Sequence, residues 1–324
     1  MLEAGWELED FQVNPWVGPT VQNLVDLGAR RGDLVVTDGE WWSLFSSTFI
    51  HAGFIQLAVS CCGLAILGEE MEREYGWWRV LLIFMMGAIG GACAGLIFVP
   101  EGIAVGANAG MMALCGAELG GLLINWDLEP APLEESIAML LWIGLILGVG
   151  ILPLLDNWAS AFGTGLGLLL GIALFARKLQ SSSRRRASEA LDDFNPWKLA
   201  TRILCGLIGF TIFAVACAML FTRVNGDWCG ETCHNFTCLE MPPNVDREAK
   251  WWYCDACRLY GIEYTYRADG SGFVVCPDGK TEKFFNEPPL NDERSLVMCE
   301  NLCTNFGFGY EARDISDAIT FVLD

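Results

Sequence analysis

The chain is poor in positive charge where a soluble protein would not be. Between Val80 and Ala176 there is no Lys or Arg at all. Charged residues make up 19% of the 324 residues, against 53% hydrophobic, which excludes intrinsic disorder. The 20 Lys and Arg are outnumbered by 40 Asp and Glu, for a net charge of −20. A nucleic-acid binder is thereby excluded, because it must cluster cations against phosphates. Histidine is almost absent: only His51 and His234 are present. What remains is a chain that reads as a polytopic membrane protein with a polar tail.

Stretches of about 20 apolar residues mark membrane spans. Six are expected, at 42–68, 80–99, 104–126, 136–155, 158–176 and 199–222. Trp41, Trp42, Trp77, Trp78, Trp126 and Trp197 stand at their edges, where interfacial anchors belong. Cytoplasmic loops carry the Lys/Arg excess. One side receives Arg73, Arg79, Arg177, Lys178, Arg184, Arg185, Arg186 and Lys198, and the other only Arg30, Arg31 and Arg223. The first side is therefore expected to be cytoplasmic, with both termini outside the cytoplasm.

Cysteine usage is an independent indicator of compartment. Of 14 cysteines, Cys61, Cys62, Cys93, Cys115, Cys205 and Cys217 fall inside the expected spans, where thiols act as small apolar fillers. Cys229, Cys233, Cys238, Cys254, Cys257, Cys276, Cys299 and Cys303 all lie in the tail. An even number in a polar segment reads as a disulfide framework in an oxidising compartment. The competing reading is zinc, held by Cys254 and Cys257 with Cys229, Cys233 or His234. Asn235-Phe236-Thr237 is a glycosylation sequon on the same side. One hairpin is expected near 264–275, around Asp269-Gly270-Ser271-Gly272.

Small residues four apart let helix backbones approach closely in lipid. Gly163, Gly167 and Gly171 form such a ladder in the fifth span. Gly106, Gly110, Ala113, Gly116 and Gly120 offer a matching face on the third. Glu118 stands alone in that third span, and an ionisable group at such depth is a functional candidate.

Several motifs now follow in a recognisable order. They are Asn14-Pro-Trp-Val-Gly-Pro19, Leu27-Gly-Ala29, Gly39-Glu-Trp-Trp-Ser-Leu-Phe45 and His51-Ala-Gly53. Leu67-Gly68, Glu72, Tyr75-Gly-Trp-Trp-Arg79, Val105-Gly-Ala107, Asp156-Asn-Trp-Ala159 and the glycine ladder complete the series. From Asn14 to Phe175 the chain resembles the rhomboid intramembrane serine proteases. A last membrane helix with a cysteine-bearing end is similar to plant-type secretory-pathway members.

The resemblance implies a Ser–His dyad, with the serine in Gly-Ala-Ser-Gly and the histidine in Asp-Asn-Phe-Ala-His. Here the serine position carries Asn108 and the histidine position carries Ser160. The two oxyanion-side positions, usually His and Asn, carry Gln56 and Ser60. Serine is a weak nucleophile without a positioned base, and Asn108 is no nucleophile. The expectation is a catalytically inactive member that needs no cofactor or metal for its function.

The expected architecture is an all-α membrane protein: a rhomboid-like bundle, one extra C-terminal membrane helix and a small Cys-rich extracytoplasmic domain. Its parts are a lead-in at 1–41, the core at 42–176, a basic linker at 177–198, the extra helix at 199–222 and the tail at 223–324. The family core has a helix before the Asn14-Pro15 loop, and none is visible here, nor is a signal peptide. Either that helix has been cleaved or truncated, or the bundle is a five-plus-one variant with an open groove for a partner. The function expected is a structural, partner-binding subunit of a membrane protein assembly, in contact with lipid and other transmembrane proteins. The alternative is a client-binding pseudoprotease similar to inactive rhomboids and derlins; a third option is a residual protease. A secretory-pathway or plasma membrane is favoured, with mitochondrial and plastid membranes left open.

Overall fold

The computed structural model describes residues 8–36, 38–100, 102–175, 196–222, 230–242 and 249–254, together with three strands. Most of the 177–198 linker, the turn at Asp269-Gly270, and Cys229, Cys257, Cys276, Cys299 and Cys303 lie outside the described residues.

Short helices α1 (Val21–Asp26), α2 (Gly32–Val36) and α3 (Ser43–Ser46) form the lead-in. Among the described residues, five helical stretches are long and apolar enough to cross a membrane: Phe54–Tyr75, Trp77–Phe98, Pro132–Val149, Asn157–Leu174 and Pro196–Phe221. The first consists of α4 (Phe54–Gly63), a π-helical stretch (Leu64–Gly68) and α5 (Glu69–Tyr75). The others are α6, α8, α9 and α10 in that order. The shorter apolar helix α7 (Asn108–Ile124) stands between α6 and α8 in sequence. At about 1.5 Å per residue, α7 is only about 26 Å long. Its residues from Ala109 to Ala117 are nearly all buried, so neighbouring helices shield it.

The first apolar stretch was expected to start as a span at Trp42; the structure starts it at Phe54. The intervening Ser46, Ser47, Thr48 and His51-Ala-Gly53 are used for loop contacts instead. The Ser47 carbonyl accepts from Gly106 N at 2.8 Å. A Cβ on Gly53 would run into the Trp16 carbonyl. The same loop is fixed by Asn14, fully buried, whose Nδ2 donates to the carbonyls of Pro19 and Ala52 at 3.0 and 2.8 Å. Trp16 Nε1 donates to the Pro153 carbonyl at 2.9 Å. The Asn14-Pro-Trp motif therefore staples the lead-in to the loops ahead of α4 and α9.

The core of the bundle is the α7–α9 contact. Cβ atoms on Gly163, Gly167 and Gly171 of α9 would collide with the carbonyl oxygens of Ala109, Ala113 and Ala117 of α7. In the other direction, Gly116 and Gly120 face the Thr164 and Leu168 carbonyls. The constant offset sets the two helices parallel and in register. Gly106 and Gly110 do not belong to this face, contrary to expectation. A Cβ on Gly106 would meet the Gln56 amide, and one on Gly110 the Phe84 ring of α6. Spacing alone placed them on the ladder, but Gly106 precedes the helix, and Gly110 is rotated about 100° per residue away from Ala109. At the opposite end, Tyr75 stacks on Phe175 at 3.9 Å between centroids. There Asn125 Nδ2 donates to the Phe175 carbonyl at 2.8 Å.

The tail is not all-helical. Helix α11 (Gly230–Thr237) is followed by strands β1 (Glu263–Tyr266), β2 (Ser271–Val275) and β3 (Thr281–Phe285). They form an antiparallel sheet in the order β1-β2-β3. The β1–β2 hairpin lies where the Gly-rich turn predicts one, and β3 adds a third strand beyond it.

Candidate functional site

α9 begins at Asn157 because Asp156 caps it: Oδ1 accepts from Ala159 N at 2.9 Å. The second carboxylate oxygen, Oδ2, accepts from Arg30 Nη2 at 2.6 Å. Their side chains are only 6% and 8% exposed, so this is a buried ion pair across 126 residues of sequence. Arg30 is positioned by an antiparallel backbone bridge to Ala104.

Ser160 lies one turn into α9 and is buried. Its hydroxyl donates to the Asp156 carbonyl at 2.9 Å. Thr164 repeats the pattern, donating to the Ser160 carbonyl at 2.8 Å. Asn108 opens α7 two residues after Gly106, whose φ of +107° is a left-handed conformation that favours glycine. The parallel register places Ser160 within about one turn of the level of Asn108 along the helix axes. Asn108 is half-buried, whereas Gln56, Ser60 and Ser160 are buried.

Gln56 is a backbone clamp in this arrangement. Its Oε1 accepts from Ala52 N at 2.6 Å and its Nε2 donates to the Val105 carbonyl at 2.9 Å. It joins the start of α4 to the segment that leads into α7. Ser60 follows one turn along α4. Asn108, Ser160 and Gln56 thus lie at the same end of the bundle. Glu118 does not belong to the group: it lies ten residues along α7, about 15 Å from Asn108. Among the described residues its buried Oε2 has no hydrogen-bond partner.

Sequence reading missed how the tail meets this end. Asn157 Nδ2 donates to the carbonyls of Leu147 and Phe236 at 3.0 and 2.8 Å. Trp158 stacks on Phe98 at 4.2 Å and meets the Phe236 ring edge-on at 4.8 Å. Its Nε1 donates to the Cys233 carbonyl at 3.0 Å. Further along, Leu239 N donates to the Ile151 carbonyl and Tyr253 N to the Gln12 carbonyl. Nothing in the local pattern signals these contacts except the aromatic Trp158 inside the Asp156-Asn-Trp-Ala159 motif.

Cys238 and Cys254 are joined in a disulfide, and Cys233 is also disulfide-bonded. Cys233 and Cys254 are therefore not available as zinc ligands. Among the described residues no three His, Cys, Asp or Glu side chains are placed to hold a metal ion. Asn235 is exposed on α11, while the sequon's Thr237 is buried.

Residues 38–177 match the model of the rhomboid domain. RHOMBOID-like protein 2 of Arabidopsis thaliana is 30% identical over 235 residues, covering 72% of this chain and 74% of the relative. The chain belongs to the rhomboid family. RHOMBOID-like protein 6, mitochondrial, from the same plant is 29% identical over 72% of this chain and 78% of its own length. Inactive RHOMBOID-like protein 8 is 25% identical over 50% of this chain and 46% of its own. This rhomboid is an integral membrane protein. The domain match ends just past α9 and does not include α10 or the tail.

Proposed function

We propose that this rhomboid is a non-catalytic membrane subunit that binds other transmembrane proteins. The observation that carries the proposal is the chemistry at the start of α7 and α9. An amide, Asn108, stands at the position of the nucleophile. A serine stands at the position of the base, with its hydroxyl directed at the Asp156 carbonyl. Acyl transfer needs a nucleophile and a base that accepts its proton; neither an amide nor a helix-bonded hydroxyl is one. Gln56 uses its amide on Val105 and Ala52, which favours a structural role over oxyanion stabilisation. Inactive RHOMBOID-like protein 8 shows that the family's named members include an inactive one.

In this reading the degenerate positions are structural. Gln56 ties the start of α4 to the segment ahead of α7, a side-chain hydrogen bond between membrane segments contributing about 0.6 kcal/mol, while Ser160 bonds back within α9. The tail faces an oxidising compartment, as the Cys238–Cys254 disulfide and the placement of cations support. The half-buried amide of Asn108 favours a second reading, in which this end of the bundle still receives a client helix as a pseudoprotease would.

Cleavage of a helical reporter in proteoliposomes, beside an active rhomboid, tests the loss of catalysis. The unmodified protein and Asn108→Ser are expected to be inactive. Asn108→Ser with Ser160→His restores at most weak cleavage, because a missing oxyanion donor typically costs on the order of 10²–10³ in rate. Clear cleavage by the unmodified protein, blocked by a serine-directed inhibitor, overturns the proposal. Gentle solubilisation separates the two non-catalytic readings: one stoichiometric complex supports the subunit, and a scatter of substoichiometric clients supports the pseudoprotease.

A further inference from the structure

α10 crosses the outside of the core against α6 and α9, and its seam with α6 is built in layers. A Cβ on Gly90 would lie 2.9 Å from the Phe213 ring, so the glycine makes room for that ring. One turn further along, Cys93 of α6 meets Cys217 of α10 with their sulfurs 3.6 Å apart. Beyond them Leu96 and Ile97 share one apolar cluster with Ala216 and Leu220. Cys93 is fully buried, and Cys217 is partly exposed at the bundle surface. Among the described residues no other two free thiols are in sulfur contact.

We propose that Cys93 and Cys217 are a disulfide-forming pair that bolts the last membrane helix to the rhomboid core. A disulfide needs its sulfurs about 1.5 Å closer than they stand here. The pair lies near the right end of the membrane. Cys217 is four residues, about 6 Å, from the end of α10 at Phe221, and Cys93 five residues, about 8 Å, from the end of α6 at Phe98. Both helices end on the side where the Cys238–Cys254 disulfide is docked, through Leu239 on the Ile151 carbonyl. That side therefore faces a compartment in which thiols are oxidised.

The chemistry is thiol–disulfide exchange with a disulfide carrier, either a protein disulfide or oxidised glutathione. The Cys217 thiol, the more exposed of the two, gives up its proton and attacks one sulfur of the carrier disulfide. A mixed disulfide forms and the first carrier thiolate leaves with a proton. Cys93, losing its own proton, then attacks the Cys217 sulfur and releases the second carrier thiol. Two protein thiols are oxidised and one carrier disulfide is reduced. The bond ties together residues 124 apart in sequence, and it keeps the tail over the α9 end of the core whether or not that core is catalytic.

A site for a sequence-specific protease, inserted between Ser183 and Arg184 of the full chain, tests the proposal. Cleavage there leaves Cys61, Cys62, Cys93 and Cys115 on one fragment and every other cysteine on the second. After oxidised glutathione and thiol alkylation, the fragments are expected to migrate as one band without reductant and as two after dithiothreitol. Cys93→Ala and Cys217→Ala should each abolish the linkage, while Cys115→Ala should not. Size-exclusion profiles matching the parent show that the variants are folded. Fragments that separate even after oxidised glutathione overturn the proposal, as does linkage that survives Cys93→Ala.

Discussion

Arg30→Met isolates the contribution of the buried ion pair at the head of α9. The substitution roughly keeps the volume and apolar stem of Arg30 but leaves the Asp156 carboxylate without its partner at 2.6 Å. Asp156 is 8% exposed, so little water can replace the guanidinium. Breaking a buried pair from one side costs about 3–5 kcal/mol. For a domain of this size that corresponds to a fall in Tm of about 6–20 °C. The double change Arg30→Met with Asp156→Asn removes both charges. It also keeps a capping side chain, since Asn caps about as well as Asp. Most of the loss should return, to within about 1 kcal/mol of the parent, because exchanging a buried pair for neutral groups is often close to neutral. The assay is thermal unfolding in a mild detergent, followed by tryptophan fluorescence, with all variants at one protein-to-detergent ratio. A single mutant as stable as the parent would show that the pair is solvated in the membrane. A double mutant no better than the single would show that Arg30 acts through packing and not through its charge.

The α7–α9 seam should tolerate no side chain: Gly167→Val drives a branched group into the Ala113 carbonyl and should cost about 3 kcal/mol or more. Gly144→Ala on α8, where nothing lies within 4 Å, should instead be neutral or stabilising by up to about 1 kcal/mol in the same unfolding assay. Glu118→Leu removes a carboxylate whose Oε2 has no partner among the described residues and should stabilise the bundle by about 1–3 kcal/mol; a loss of stability would mean that the carboxylate has a structural role. Reducing the Cys238–Cys254 bond, which spans a sequence separation of 16, frees about 3 kcal/mol of loop-closure entropy. Hydrogen exchange should then quicken at α11 and leave α7 and α9 protected; equal loosening of both would refute the separation of tail from bundle.

The rhomboid pattern was legible because its signals are local. Asp156 caps a helix within three residues of itself, and Gly163, Gly167 and Gly171 recur on one helical face. Cysteine partition was legible for the same reason: apolar runs and polar tail are distinguished by composition alone. Helix boundaries were less so. Hydropathy carried the first span back to Trp42, because it does not count loop hydrogen bonds such as the one between Gly106 and the Ser47 carbonyl. The site was legible as a set of identities at Asn108, Ser160, Gln56 and Ser60. Its geometry was not: that Gln56 clamps Val105, and Ser160 bonds back to Asp156, depends on rotamers chosen among neighbours.

Alone, the sequence determined that the chain crosses a membrane as apolar helices, that its core follows the rhomboid order, and that its cysteines divide between core and tail. These properties follow from sums and short periodicities along the chain, which no distant neighbour alters. Tertiary structure decided the pairings. Arg30 reaches Asp156, Trp158 receives the tail at Phe236, Cys93 meets Cys217, and Gly110 turns to Phe84 while Gly116 and Gly120 face α9. Each depends on how far a helix is rotated about its axis and which helix stands beside it. The backbone hydrogen bonds of an isolated helix are indifferent to that rotation, so only the packed bundle selects it.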